Sequence, residues 1–89
     1  MISHTTERFR KAFQRLPPHV QRQARAAYSL WKQDPFHSSL QFKQVHSRKP
    51  IYSVRIGIGW WAVGIKSEDT VIWFWIGSHA DYDKLLSQL

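Results

Sequence analysis

Two segments of this 89-residue chain carry side chains suited to chemistry on a phosphate: residues 52–57, which contain Arg55, and the run Ile76-Gly77-Ser78-His79-Ala80-Asp81-Tyr82. Arg55 lies mid-way along an alternating stretch, on the face opposite Tyr52, Val54 and Ile56. A guanidinium held by a rigid strand is a good phosphate ligand, because its planar fork matches two phosphate oxygens. It is equally an ordinary solvated strand arginine. His79 follows a glycine break, where a side chain overhangs the end of a sheet, and imidazole suits proton transfer near neutrality. A helix-capping or surface histidine would look the same. Tyr82 repeats at helical spacing with Leu85, Leu86 and Leu89, which favours a core anchor over a catalytic phenol.

Other chemistries lack their residues. The five histidines (His4, His19, His37, His46 and His79) never pair at three- or four-residue spacing, and no His-Glu helix motif is present, so no metal or other cofactor is expected. The absence of cysteine removes disulfide scaffolds, thiolate metal sites and thiol catalysis. The glycines form neither a nucleophile elbow around a serine nor a phosphate-cradling loop.

Charge points to a partner. Thirteen Lys and Arg against six Asp and Glu leave a formal +7. Residues 1–55 hold eleven of the basic side chains and only Glu7 and Asp34 as acids, a local +9; residues 56–89 carry a local −2. A small domain so polarised is suited to a polyanion or an acidic protein. Residues 1–13 are polar and basic without an apolar run, and the longest apolar stretch, residues 71–76, is far short of the ~20 residues that span a bilayer. The expectation is a cytoplasmic protein with no membrane partner.

The elements that must position these residues follow from periodicity. Thr5 or Thr6 can cap a helix whose stripe is Phe9, Ala12, Phe13 and Leu16. Pro17-Pro18 stops it and starts a second, with Val20, Ala24, Ala27 or Tyr28, and Trp31 on one face, ending at Asp34-Pro35. The alanines suggest that the two helices pack closely as a hairpin. The period then drops to two. A first strand holds Leu40, Phe42 and Val45; a second runs over 51–58, with Tyr52, Val54, Ile56 and Ile58 on one face; a third covers 60–66 and a buried fourth 71–76. A closing helix spans 80–89 with Tyr82, Leu85, Leu86 and Leu89 inward. Two helices, three or four antiparallel strands and a last helix make one α+β domain over residues 1–89.

The ordered set Leu16-Pro17, Asp34-Pro35, Ser39-Leu40-Gln41-Phe42-Lys43, Tyr52-Ser53-Val54-Arg55-Ile56-Gly57 and Ile76-Gly77-Ser78-His79-Ala80-Asp81-Tyr82-Asp83 resembles the RelE/ParE toxin superfamily across residues 9–86. The resemblance implies a helical hairpin packed on a twisted antiparallel sheet, a C-terminal helix, and one half of a toxin–antitoxin pair. RelE-like members cleave mRNA in the ribosomal A site without a metal; ParE-like members inhibit DNA gyrase. By position, Arg55 matches a strand residue that contacts the RNA phosphate, and His79 falls where the ribonuclease branch has a basic or proton-transferring residue, a histidine after Gly-Ser in YafQ-like members. Tyr82 lies near the family's C-terminal tyrosine. Two positions depart: Trp61 stands where many members carry arginine, and Ser53 where the RelE type carries lysine. Each missing charge-assisted contact costs about 2–4 kcal/mol of transition-state stabilisation, which predicts weak or absent cleavage.

The implied reaction needs little machinery. RNA brings its own nucleophile, the 2′-OH, so the protein must move protons (His79) and neutralise the phosphorane (Arg55). Lys43, Arg48, Lys49, Arg22 and Arg25 would supply general RNA affinity, and Trp60 or Trp61 would stack on a base. The implied partners are a cognate acidic antitoxin, the ribosome and mRNA. The alternatives are a ParE-type gyrase inhibitor and a decayed toxin that retains only antitoxin binding.

Overall fold

Capping chemistry sets the helix boundaries in a computed structural model that describes all of residues 1–89. Helix α1 is Glu7–Gln14, and the Thr6 hydroxyl accepts the Phe9 N–H at 3.1 Å. Helix α2 is Pro18–Gln33, with Pro18 in its first turn, where a missing N–H costs nothing. It ends at Asp34, the residue before Pro35. Helix α3 is His79–Gln88, capped by the Ser78 hydroxyl, which accepts the Asp81 N–H at 3.2 Å.

Five strands make one sheet: β1 Ile2–Thr5, β2 Lys43–Gln44, β3 Ile51–Gly57, β4 Trp60–Ser67 and β5 Thr70–Ser78, in the order β1-β5-β4-β3-β2. The α+β architecture is as expected, with one more strand. β1 runs parallel to β5, whereas the other pairs are antiparallel, so the sheet is mixed. Its sequence, Ile-Ser-His-Thr, has no apolar alternation because it is an edge strand with a single neighbour, held by backbone bonds such as Thr6 N–H to Trp73 C=O at 3.0 Å. The expected first strand is mostly something else. Ser38–Leu40 is a 3₁₀ turn, Gln41 takes the left-handed φ of 47°, and only Lys43–Gln44 pair with β3. Leu40 and Phe42 are nonetheless buried.

The sheet carries a core on each face. Helices α1 and α2 cover one, where Trp31, Leu40, Phe42, Val54, Val71 and Trp73 pack together. Helix α3 covers part of the other, where Ile51, Trp61, Val63 and Tyr82 form a smaller cluster with Phe74 and Trp75. One bulge makes both possible. Val63 pairs with Trp75 but Gly64 pairs with Trp73, leaving Phe74 as an extra residue in β5. Strict alternation would put Trp73 and Ile76 on opposite faces; the inserted residue returns both to the first core and turns Trp75 toward α3.

The alanines of α2 do not draw the helices together as expected. Helix α1 lies over β5 and α2 over β3. Between them is an open apolar groove of about 640 Å³, lined by Phe9 and Phe13 of α1, Ala24, Ala27 and Tyr28 of α2, and Val54, Ile56 and Ile76 of the sheet. Arg10 and Arg25 also line it. No helix is long and apolar enough to cross a membrane.

Candidate functional site

Strand register brings the sequence-selected residues to one end of the α3-covered face. Arg55 of β3 stands directly opposite Trp61 of β4, and Trp61 directly opposite Gly77 of β5. Side chains paired across strands share a face, so Arg55 points to the side where α3 begins. It is half-buried, and neither the Lys11–Glu7 ion pair nor the approach of His79 to Asp83 involves it. A guanidinium held on a strand without a carboxylate is open to an anionic ligand.

His79 is the first residue of α3 and is tied at three points. Its backbone N–H donates to Gly59 C=O at 2.7 Å, which anchors the helix start to the β3–β4 turn. Its Nδ1 accepts the indole N–H of Trp61 at 2.9 Å. Its Nε2 lies 3.5 Å from Oδ2 of Asp83, one helical turn on, with both side chains more than half exposed. The imidazole edge carrying Nε2 is therefore the part of His79 within reach of a ligand.

Tyr82 is buried, and its hydroxyl donates to Ser53 Oγ at 2.9 Å; Ser53 itself is fully buried. The Tyr82 ring stacks on Trp61 with centroids 4.7 Å apart and an interplanar angle of 11°. Tyr82 thus occupies the core-anchor position that its spacing favours, and its hydroxyl is engaged inside the protein. Trp61, at 8% exposure, has one ring face on Tyr82 and offers no open surface to a base.

Lys43 joins the site: it pairs with Ser53 across β2 and β3, which places it on Arg55's face at the sheet edge. Arg48 and Lys49 are exposed in the turn that follows, which His46 orders by accepting both their backbone N–H groups at Nδ1, at 3.0 and 2.9 Å. Arg22 and Arg25 do not join it. They lie on α2, across the sheet, where Arg25 sits over the Phe13 ring at 5.1 Å. Trp60 alternates to the face opposite Trp61. Ile58, expected to share the face of Val54, stands 86% exposed at the turn, because Arg55 pairs with Trp61 and Gly57 with Trp60, leaving Ile56 as the extra residue of a bulge.

Sequence reasoning missed Trp61 as a donor to His79, Ser53 as the partner of Tyr82, and Asp83. The first two pairs join residues 18 and 29 positions apart, and only strand register brings them together. Asp83 was legible, since it stands four residues after His79 on a helix. The arrangement sets three side chains of a type suited to an anion (Arg55, Lys43 and the Nε2 edge of His79) around a rigid aromatic stack. No three His, Asp or Glu side chains come together as a cation site.

Comparison with known proteins gives a consistent relationship. The sequence profile of the ParE-like toxin domain matches residues 18–84. Among solved structures, the fold is similar to the RelB–RelE antitoxin–toxin complex from Methanococcus jannaschii, with a TM-score of 0.73 at 14% identity over 92% of this chain and 96% of that one. It is similar to YafQ from E. coli, with a TM-score of 0.67 at 13% identity over 90% and 94% of the two chains. It is also similar to the isolated E. coli RelE toxin, with a TM-score of 0.67 at 14% identity over 98% and 96%. No curated protein sequence matches.

Proposed function

The chain belongs to the ParE-like toxin domain family, within the RelE/ParE toxin superfamily, and we propose that this toxin of a toxin–antitoxin system acts by cleaving mRNA on the ribosome. The observation that carries the reading is the unpaired Arg55 guanidinium on the same sheet face as His79, with Lys43 beside it. Arg55 and the Nε2 edge of His79, both neighbours of Trp61, suit a single phosphodiester, and Lys43 on the next strand out suits the adjoining backbone. The nucleophile is the substrate's own 2′-OH, so the protein's work is orientation and charge stabilisation. Arg55 neutralises the phosphoryl oxygens as the phosphorane forms, and His79 meets the same group from the start of α3. Lys43, Arg48 and Lys49 along the sheet edge track the RNA backbone. A site this sparse depends on the ribosome to hold the strand.

The expected result is cleavage of a defined mRNA on purified ribosomes and little cleavage of the same RNA alone. Rapid cutting of free RNA overturns the ribosome-dependent form. A second reading, a gyrase-directed toxin without catalysis, has its own observations: an uncharged Trp61 at the centre of the site and a Tyr82 hydroxyl sealed on Ser53. Labelled methionine and thymidine uptake after induction separates the two. An early fall in methionine incorporation supports the endonuclease, and an early fall in thymidine alone, with DNA-break signalling, supports gyrase.

The partner is an acidic antitoxin segment. The groove between α1 and α2 is apolar on its floor and carries Arg10 and Arg25, a match for an amphipathic helix or extended strand with acidic flanks.

A further inference from the structure

We infer that Trp61 is a positioning residue that makes His79 a fixed hydrogen-bond donor to the scissile phosphate rather than a carrier of protons; the inference rests on the endonuclease reading above. An indole N–H only donates. The 2.9 Å bond from Trp61 Nε1 to His79 Nδ1 therefore requires a bare Nδ1, and the neutral ring then carries its proton on Nε2.

Both ends of this bond are held. Trp61 is buried and stacked on Tyr82, and Tyr82 is fastened to buried Ser53. His79 is fastened through its backbone to Gly59. The Trp61 ring cannot turn away without leaving Tyr82, and the His79 ring cannot turn without also giving up its approach to Asp83.

Proton bookkeeping then separates the roles. A general base at Nε2 needs a lone pair there, hence a proton on Nδ1, which sets two N–H groups against each other. A general acid needs the imidazolium, with the same proton on Nδ1 and the same clash. A neutral ring that gave up its Nε2 proton would become an imidazolate. Every proton-carrying role first breaks the Trp61 bond; donation of a hydrogen bond from Nε2 does not.

The chemical step balances without His79 as carrier. The 2′-oxygen attacks phosphorus and the bond to the 5′-oxygen breaks, leaving a 2′,3′-cyclic phosphate and a 5′-hydroxyl. Water takes the 2′ proton and water protonates the departing oxygen. The negative charge that builds on the phosphoryl oxygens is met by Arg55 and by Nε2–H. In the resting molecule that proton faces the exposed Asp83 carboxylate, which the phosphate replaces.

Glutamine at position 79 separates donor from carrier, because its amide nitrogen reaches the place of Nε2 but transfers no proton. On ribosomes, His79→Ala should lose ~100-fold, the usual cost of one transition-state donor, and His79→Gln, although slower than wild type, should cleave about tenfold faster than His79→Ala. Glutamine as impaired as alanine overturns the inference. Independently of activity, nitrogen-15 spectra of the wild-type protein should show a bare His79 Nδ1 coupled through the hydrogen bond to the Trp61 indole group. Trp61→Phe, which keeps a ring against Tyr82, should abolish that coupling. Its absence in the wild-type protein also overturns the inference. A wild-type protein that cuts no mRNA overturns the endonuclease reading and the phosphate role with it, while the coupling still decides whether Trp61 fixes His79.

Discussion

Tyr82 reaches across the interface between α3 and the sheet to donate its hydroxyl to Ser53, 2.9 Å away, and both residues are buried. This bond explains why a serine can stand mid-strand in the core: its hydroxyl has a partner from the helix. Tyr82→Phe removes that partner and keeps the stack on Trp61. The expected cost is about 1–3 kcal/mol, the penalty for stranding a buried polar group, read by urea or thermal unfolding. Ribosome-dependent cleavage should be little changed at a temperature where the variant is folded. A stable variant with lost cleavage would assign the hydroxyl to the reaction instead.

Asp83 places a negative charge 3.5 Å from the His79 edge that is to meet a phosphate. Asp83→Asn removes repulsion of the substrate at an exposed position, so little change in stability is expected. RNA affinity should rise by a few-fold, on the scale of ~0.5–1 kcal/mol for one exposed charge contact. The gain should shrink as salt is raised. Weaker binding after this substitution would show that the carboxylate holds His79 productively.

The groove between α1 and α2 owes its room to small side chains, Ala24 and Ala27, facing the apolar floor. Ala27→Trp should fill it from a half-buried position and abolish neutralisation by the antitoxin, while toxicity persists. Co-expression growth rescue reads this directly. The charge of the basic half predicts a second effect, that added salt slows association with the antitoxin far more than it speeds dissociation. A salt-insensitive association rate would place the contact away from Arg10 and Arg25.

Much of this was legible in the sequence where local chemistry decides structure. Thr6, Pro18, Asp34-Pro35 and the Gly77-Ser78 break each act on their own neighbours, and each marks a helix boundary in the molecule. Arg55 and His79 were selected by residue type and local position, and strand register sets both beside Trp61. What was hidden depends on pairing between distant strands. β1 has no pattern because its single neighbour is the far end of the chain, and the Phe74 bulge looks like any residue of an apolar run. Arg22 and Arg25 read as part of the basic surface around the site, yet they lie on α2, on the other side of the sheet from Arg55. Charge counted along a chain carries no information about which face it occupies.

Gly64 is a position where backbone approach leaves no alternative. A Cβ there would stand 2.9 Å from the Ile72 carbonyl oxygen and equally close to Trp73 and Val71 side-chain atoms, in the β4–β5 pairing beside the bulge. Gly64→Ala should therefore destabilise by about 1–3 kcal/mol through overpacking, seen as a lower unfolding midpoint. An unchanged midpoint would mean that the bulge relaxes freely.

Trp61→Arg puts back the basic group that many family members carry, and the structure gives the outcome a direction. Position 61 is 8% exposed, packed on Tyr82, and directly opposite Arg55. An arginine there loses the aromatic stack and the bond to His79, meets a like charge across the strand pair, and has no carboxylate facing it on the sheet. The cost of a buried, uncompensated charge is about 3–5 kcal/mol, a large part of the stability of a domain of this size. The expected result is a poorly folded protein by thermal unfolding, with toxicity lost through instability. Trp61→Phe is the control, because it keeps the packing and adds no charge. A Trp61→Arg protein that folds as well as wild type and cuts mRNA faster would mean that the guanidinium swings out to the phosphate beside Arg55. The aromatic stack would then be a replaceable filling and not the frame of the site.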